Sequence, residues 1–113
     1  MGIELPQEKK LIVECRIEGG CLGPTGDDYV EDFCDFVKSE FSSWETNIIT
    51  WEITPRWDKS QLERQYKVAG RNISWSQAEK YLKLFEKNID ELEAEIDESI
   101  MVLITEYMSK QRV

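Results

Sequence analysis

The sequence predicts an α+β protein: a small three-stranded, mainly antiparallel sheet with helices packed on one face and a long C-terminal helix, continuous or broken. Three observations lead there. Three short stretches alternate apolar and polar residues with period two, the pattern of half-buried strands. Two others repeat apolar residues at the spacing of an amphipathic helix. The elements run strand, helix, strand, strand, helix, and 113 residues suit a single domain, 1–113.

Residues 1–8, which include Pro6, read as a lead-in expected to fray. In residues 10–18, Leu11, Val13, Cys15 and Ile17 alternate with Ile12, Glu14, Arg16 and Glu18. That strand has one apolar and one mostly charged face. Four glycines and a proline in residues 19–26 interrupt it. A helix follows over residues 27–41. Tyr29, Val30, Phe33, Phe36, Val37 and Phe41 gather on one side, and Asp28, Glu31, Asp32 and Asp35 on the other. Thr25 with Asp28 resembles a capping box, and the acidic first turn suits the helix dipole.

The second strand, residues 47–54, sets Ile49, Trp51 and Ile53 against Thr50, Glu52 and Thr54, and Pro55 closes it because proline cannot donate to a ladder. The third, residues 62–69, alternates Leu62, Arg64, Tyr66 and Val68 with Glu63, Gln65, Lys67 and Ala69, and Gly70 ends it. Nearness in sequence predicts that these two strands form a hairpin. If the third strand lies between the first and second, the sheet is antiparallel throughout.

Ser76 with Glu79 forms a capping box, and neither proline nor glycine follows before Lys110. Leu82, Phe85, Ile89, Leu92, Ile96, Ile100, Leu103 and Tyr107 repeat along one seam. One helix over residues 76–110 would be about 50 Å long, more than a three-stranded sheet can cover. Asn88 and Asp90 offer a break, the first ending one helix and the second capping the next.

Charge and absent residue types narrow the function. Asp and Glu number 23 against 14 Lys and Arg, a formal charge of −9, and there is no histidine. Such a domain repels phosphates and anionic lipids, so direct binding to nucleic acid or membranes is not expected. No apolar run approaches the roughly 20 residues of a membrane span, and a basic start followed by an apolar stretch, the mark of a secretory signal, is missing. Without histidine there is no Ser-His-Asp or Cys-His pair and no Cys₂His₂ zinc site. Cys15, Cys21 and Cys34 are odd in number and contain no C-x-x-C, which fits reduced cytoplasmic thiols better than a disulfide framework or a metal site. Residues 19–26 join a strand to a helix as phosphate-binding loops do. They match neither glycine fingerprint, lack lysine and are followed by Asp27 and Asp28, so a flexible connection is expected. No enzyme activity, cofactor or metal is expected.

What remains is surface. Asp28, Glu31, Asp32 and Asp35 form an acidic helix face suited to a basic partner. Asp90, Glu91, Glu93, Glu95, Asp97 and Glu98 put six carboxylates in nine residues, and two such clusters could imitate the phosphates of a duplex. Trp57, beside Arg56 in the expected hairpin tip, suits a partner anchor. Trp51, Trp57 and Tyr66 could line a small-ligand pocket, though no convergent polar set supports one. Residues 100–104 are five consecutive apolar residues, which point all round a helix axis. Covering them takes either a groove between the first helix and the sheet, or a homodimer through Leu92, Ile96, Ile100, Met101, Leu103, Ile104 and Tyr107. The expected function is therefore a non-enzymatic acidic interaction module, such as an inhibitor, immunity-type protein or nucleic-acid mimic, acting on a basic protein. The alternative is a structural or small-ligand-binding protein that dimerises through its C-terminal helix.

Overall fold

Alternation in the first strand does what its pattern requires. In β1 (Leu11–Ile17), Leu11, Val13, Cys15 and Ile17 are all buried. In β2 (Ile49–Pro55), Ile49, Trp51 and Ile53 are buried in the same way. A computed structural model describes residues 5–111 and adds β3 (Arg64–Val68), β4 (Arg71–Ile73), α1 (Val30–Glu40), α2 (Trp75–Lys83) and α3 (Ile89–Gln111). Of the lead-in expected at residues 1–8, residues 1–4 lie outside the described residues. Leu5 N–H donates to the Asn47 carbonyl at 3.0 Å, and Gln7–Lys9 form a 3₁₀ turn.

The protein is α+β, with a four-stranded mixed sheet in the order β2-β1-β3-β4. This corrects the expected three-stranded antiparallel sheet in three respects. First, β1 lies between β2 and β3, pairing parallel with β2 and antiparallel with β3. A parallel pair needs a crossover, and α1 supplies one whose apolar stripe (Val30, Phe33, Cys34 and Val37) is buried in the common core. Second, β2 and β3 sit on opposite sides of β1 and form no hairpin. The chain between them crosses the end of β1, where Arg56 N–H donates to the Ile17 carbonyl at 2.8 Å and Arg16 N–H to the Glu63 carbonyl at 2.7 Å.

Third, β4 pairs antiparallel with β3, with Val68 opposite Arg71. The two residues between them, Ala69 and Gly70, have φ of 52° and 77°. That is the positive-φ pair of a type I′ turn, in which Asn-Gly is the favoured sequence and alanine is strained. Ala69→Asn is therefore expected to stabilise the fold by about 0.5–1 kcal/mol. The check is the urea midpoint, which should rise at unchanged slope; an unmoved midpoint would show that Ala69 carries no strain.

The C-terminal helix is broken. α2 starts at a capping box two residues before the expected one: Ser74 Oγ accepts from Gln77 N–H at 3.1 Å, and Gln77 Oε1 accepts from Ser74 N–H at 2.9 Å. After α2, Glu86 takes φ 60°, Lys87 N–H donates to the Leu82 carbonyl and Glu86 N–H to that of Lys83. This is the double bond of a Schellman ending. Asn88 opens the next helix rather than closing the last, since its Oδ1 accepts from Glu91 N–H at 3.1 Å.

One core joins sheet and helices. Phe33 packs edge-on against Tyr107 with ring centroids 5.3 Å apart. Trp44 stacks on Trp51 at 4.8 Å, and Phe41 meets both rings edge-on. The sheet's other face is ionic. Glu14, only 8% exposed, lies 2.8 Å from Arg16 and 3.2 Å from Lys67, and Lys67 also reaches Glu52 at 3.9 Å.

Candidate functional site

The two acidic helices meet in opposite directions. Phe33 and Phe36 near the start of α1 touch Tyr107 near the end of α3, and Phe41 just past α1 shares a depression with Val102 and Leu103. Asp28, Glu31, Asp32 and Asp35 are all exposed. Asp32 is partly engaged inside the molecule, because its carboxylate accepts from the Tyr107 hydroxyl at 2.7 Å.

The second cluster divides. Asp90, Glu91, Glu95 and Glu98 are exposed, while Glu93 is half-buried. Glu93 accepts from the Tyr66 hydroxyl at 2.5 Å and the Trp75 indole at 3.2 Å, and Asp97 accepts from Arg64 at 2.7 Å. Arg64 also lies 3.8 Å from Glu93. These groups form a polar pin that fastens α3 onto β3. It was not among the expected sites. Its trace is Arg64 itself, a charged residue at an apolar-face position opposite Cys15. The Arg64 Nε is buried without a hydrogen-bond partner.

Arg56 is turned inward as well, bonding Glu18 at 2.8 Å and the carbonyls of Lys59 and Gln61 at 2.8 and 2.9 Å. Trp57 beside it is 59% exposed. The three aromatics considered for a pocket sit apart in role: Trp51 is closed in by Phe41 and Trp44, Tyr66 lies under α3, and Trp57 faces outward.

The residues considered for self-association split by helical phase. Leu92, Ile96, Leu103 and Tyr107 are buried in the protein's own core, and Ile100 and Ile104 are half-buried against it. Met101 and its neighbour Val102 remain exposed.

Depressions flank α3 on two sides. One of about 250 Å³ is lined by Trp44, Glu45, Glu86, Lys87, Glu91 and Glu95 among others. A second, of about 410 Å³, is lined by Glu40, Phe41, Trp44, Glu98, Ser99, Val102 and Leu103. The third, of about 230 Å³ on the other side of α3, brings Cys15 and Cys21 to one wall with Arg64, Asp97 and Met101. Cys21 is exposed there; Cys15 and Cys34 are buried. Burial raises the Cys15 thiol, and burial with Asp35 and Glu31 nearby pushes Cys34 up to about 12, so neither is a ready nucleophile. No group of three metal-ligating side chains occurs among the described residues. Nor is any of their helices long and apolar enough to cross a membrane.

The tyrosines report how tightly α3 is fastened. Burial and the hydrogen bond to Asp32 push Tyr107 up to about 12, and burial and Glu93 raise Tyr66 further. An unfolded tyrosine ionises near 10. The stability tied to the neutral phenols is thus complete below about pH 10 and lost as pH rises through the folded values. In an alkaline titration, phenolate absorbance from these tyrosines should appear together with loss of the helical circular dichroism. Ionisation of Tyr66 and Tyr107 near pH 10 in a still-folded chain would contradict that.

No family model matches the chain, and no curated protein or solved structure matches it.

Proposed function

We propose that this chain is a non-enzymatic interaction module that offers carboxylates to a basic protein partner, as an inhibitor, an immunity-type protein or a nucleic-acid mimic does. The observation behind this reading is the placement of charge. The chain's −9 is concentrated on two adjoining helices, with Asp28, Glu31 and Asp35 exposed on or beside α1 and Asp90, Glu91, Glu95 and Glu98 exposed on α3. Charge gathered on one side of a small protein steers an oppositely charged partner and penalises wrong ones. Three free cysteines suit a reducing, cytoplasmic setting. Retention on immobilised basic proteins in rising salt tests the proposal. Binding should be strong at low ionic strength and fade as the Debye length shrinks below about 10 Å. Binding indifferent to salt would remove electrostatic recognition.

A second reading, a homodimer through α3, is favoured by the adjacent exposed pair Met101 and Val102. Light scattering at micromolar concentration decides it, and a monomer there removes it.

A further inference from the structure

We infer that the partner element is a cationic amphipathic helix, and that it lies in the furrow between α3 and the corner where α1 turns toward β2, across the face of Trp44. This rests on the basic-partner reading and adds a location and a shape to it. The two depressions of about 250 and 410 Å³ on that side adjoin at Trp44, which lines both, and together they make the trough.

One bank is α3. Glu91, Glu95, Glu98 and Val102 fall at i, i+4, i+7 and i+11, a single stripe about 16 Å long, or three turns of a facing helix. The other bank carries Glu40 and Glu45, and Glu86 in the turn before α3 also lines the trough. The trough's lysine, Lys87, is engaged with Glu45 at 3.0 Å. From Trp44 to Val102 the floor is apolar: Trp44 is backed by Trp51 at 4.8 Å and flanked by Phe41, and Val102 is 52% exposed at one end, whereas the half beside Glu45 and Lys87 is mostly polar.

An apolar line with carboxylates on both rims complements a helix whose apolar stripe is bordered by lysine or arginine. The aromatic floor also favours a cation passing over it. A second copy of this chain fits badly, because its α3 would bring the same glutamates to face these. The carboxylates Asp28, Glu31 and Asp35, on or beside α1, line neither half of the trough.

The test uses two peptides of about 14 residues with identical lysine and leucine content, one ordered at helical period and one scrambled, titrated calorimetrically at low salt. The ordered peptide should bind about tenfold more tightly, because it alone presents its apolar stripe to the floor. Combining Glu91→Gln, Glu95→Gln and Glu98→Gln should weaken it about tenfold; combining Asp28→Asn, Glu31→Gln and Asp35→Asn should change it less than about twofold. Val102→Asp gives the sharpest contrast. It adds negative charge, so diffuse attraction predicts tighter binding, whereas a seat over Val102 predicts weaker binding by about fivefold. Val102 is exposed, and circular dichroism checks that each variant folds. Equal loss from both triple variants, equal binding of the two peptides, or tighter binding by Val102→Asp overturns the furrow and leaves the basic-partner reading standing. Absence of salt-sensitive binding by either peptide overturns both.

Discussion

Replacing Phe33 with alanine is expected to remove about 3–5 kcal/mol of stability. Phe33 is the fully buried side chain among those through which α1 meets α3: its ring packs edge-on to Tyr107 at 5.3 Å and lies 6.3 Å from Phe36. Truncation forfeits the transfer free energy of a phenyl ring and leaves a cavity walled by elements that cannot close on it. Three constraints hold those walls. Tyr107 is tied to Asp32 by a 2.7 Å hydrogen bond, α1 is committed as the crossover between two paired strands, and α3 is pinned further along by Arg64 and Tyr66. A small domain has about 5–15 kcal/mol in total, so the variant should be visibly destabilised at room temperature. Urea unfolding followed by tryptophan fluorescence should give a much lower midpoint with an unchanged slope. Phe36→Ala should cost less than half as much, since Phe36 is half-buried and meets Lys110 at 4.9 Å over its face. A loss below about 1 kcal/mol for Phe33→Ala would mean that the α1–α3 contact can repack, against the wall argument above.

Periodicity showed which faces are buried and said little about which strands are neighbours. Leu11, Val13, Cys15, Ile17, Ile49, Trp51 and Ile53 all lie where period two places them. The same alternation is compatible with any strand order, because it records burial and not pairing. Nearness in sequence then favours a hairpin of β2 and β3. The connecting segment is instead gathered by Arg56, which holds Glu18 and two loop carbonyls, and it carries the chain past the end of β1 to the other edge. β4 was hidden because its turn uses Ala69 in place of the asparagine that marks such turns, so Gly70 read as an ending. The start of α2 slipped by two residues because both Ser74 and Ser76 have a Glu or Gln three positions on; Ser74 makes the cap.

The carboxylates were legible and their fates were not. Whether a glutamate on α3 faces solvent, a trough or an arginine depends on which side of the helix α1 and β3 occupy. Glu93 and Asp97 are engaged by Arg64 while Glu91, Glu95 and Glu98 look into the trough, although all five lie in one short acidic run. The apolar run at residues 100–104 divides in the same way. α3 has α1 on one flank and the loop after β1 on another, so it covers Leu103 fully and Ile100 and Ile104 by half. Only Met101 and Val102 of that run are left for anything outside the chain.

The loop after β1 carries the other large prediction. Its glycines suggest flexibility, yet Gly19, Leu22 and Gly26 are buried within two 3₁₀ turns, Gly19–Leu22 and Gly26–Asp28, that press backbone against backbone. A Cβ on Gly26 would stand 1.7 Å from the Gly19 carbonyl oxygen, and one on Gly19 would stand 2.8 Å from the Asp27 nitrogen. The Asp27 carboxylate, whose Oδ1 would lie 2.0 Å from a Gly19 Cβ, can swing aside, but the two backbone obstacles cannot, so the turns must separate to admit a methyl group. Gly26→Ala is expected to cost about 3 kcal/mol, the upper end for overpacking, because the movement also uncovers Leu22 and disturbs the entry into α1. Gly20→Ala is the control: nothing lies within 4 Å of its would-be Cβ, and the change should stay within about 0.5 kcal/mol. Both are read from urea midpoints. If the two substitutions cost the same, the close approach does not hold this loop; if Gly26→Ala alone is severe, these glycines serve contact rather than freedom of motion.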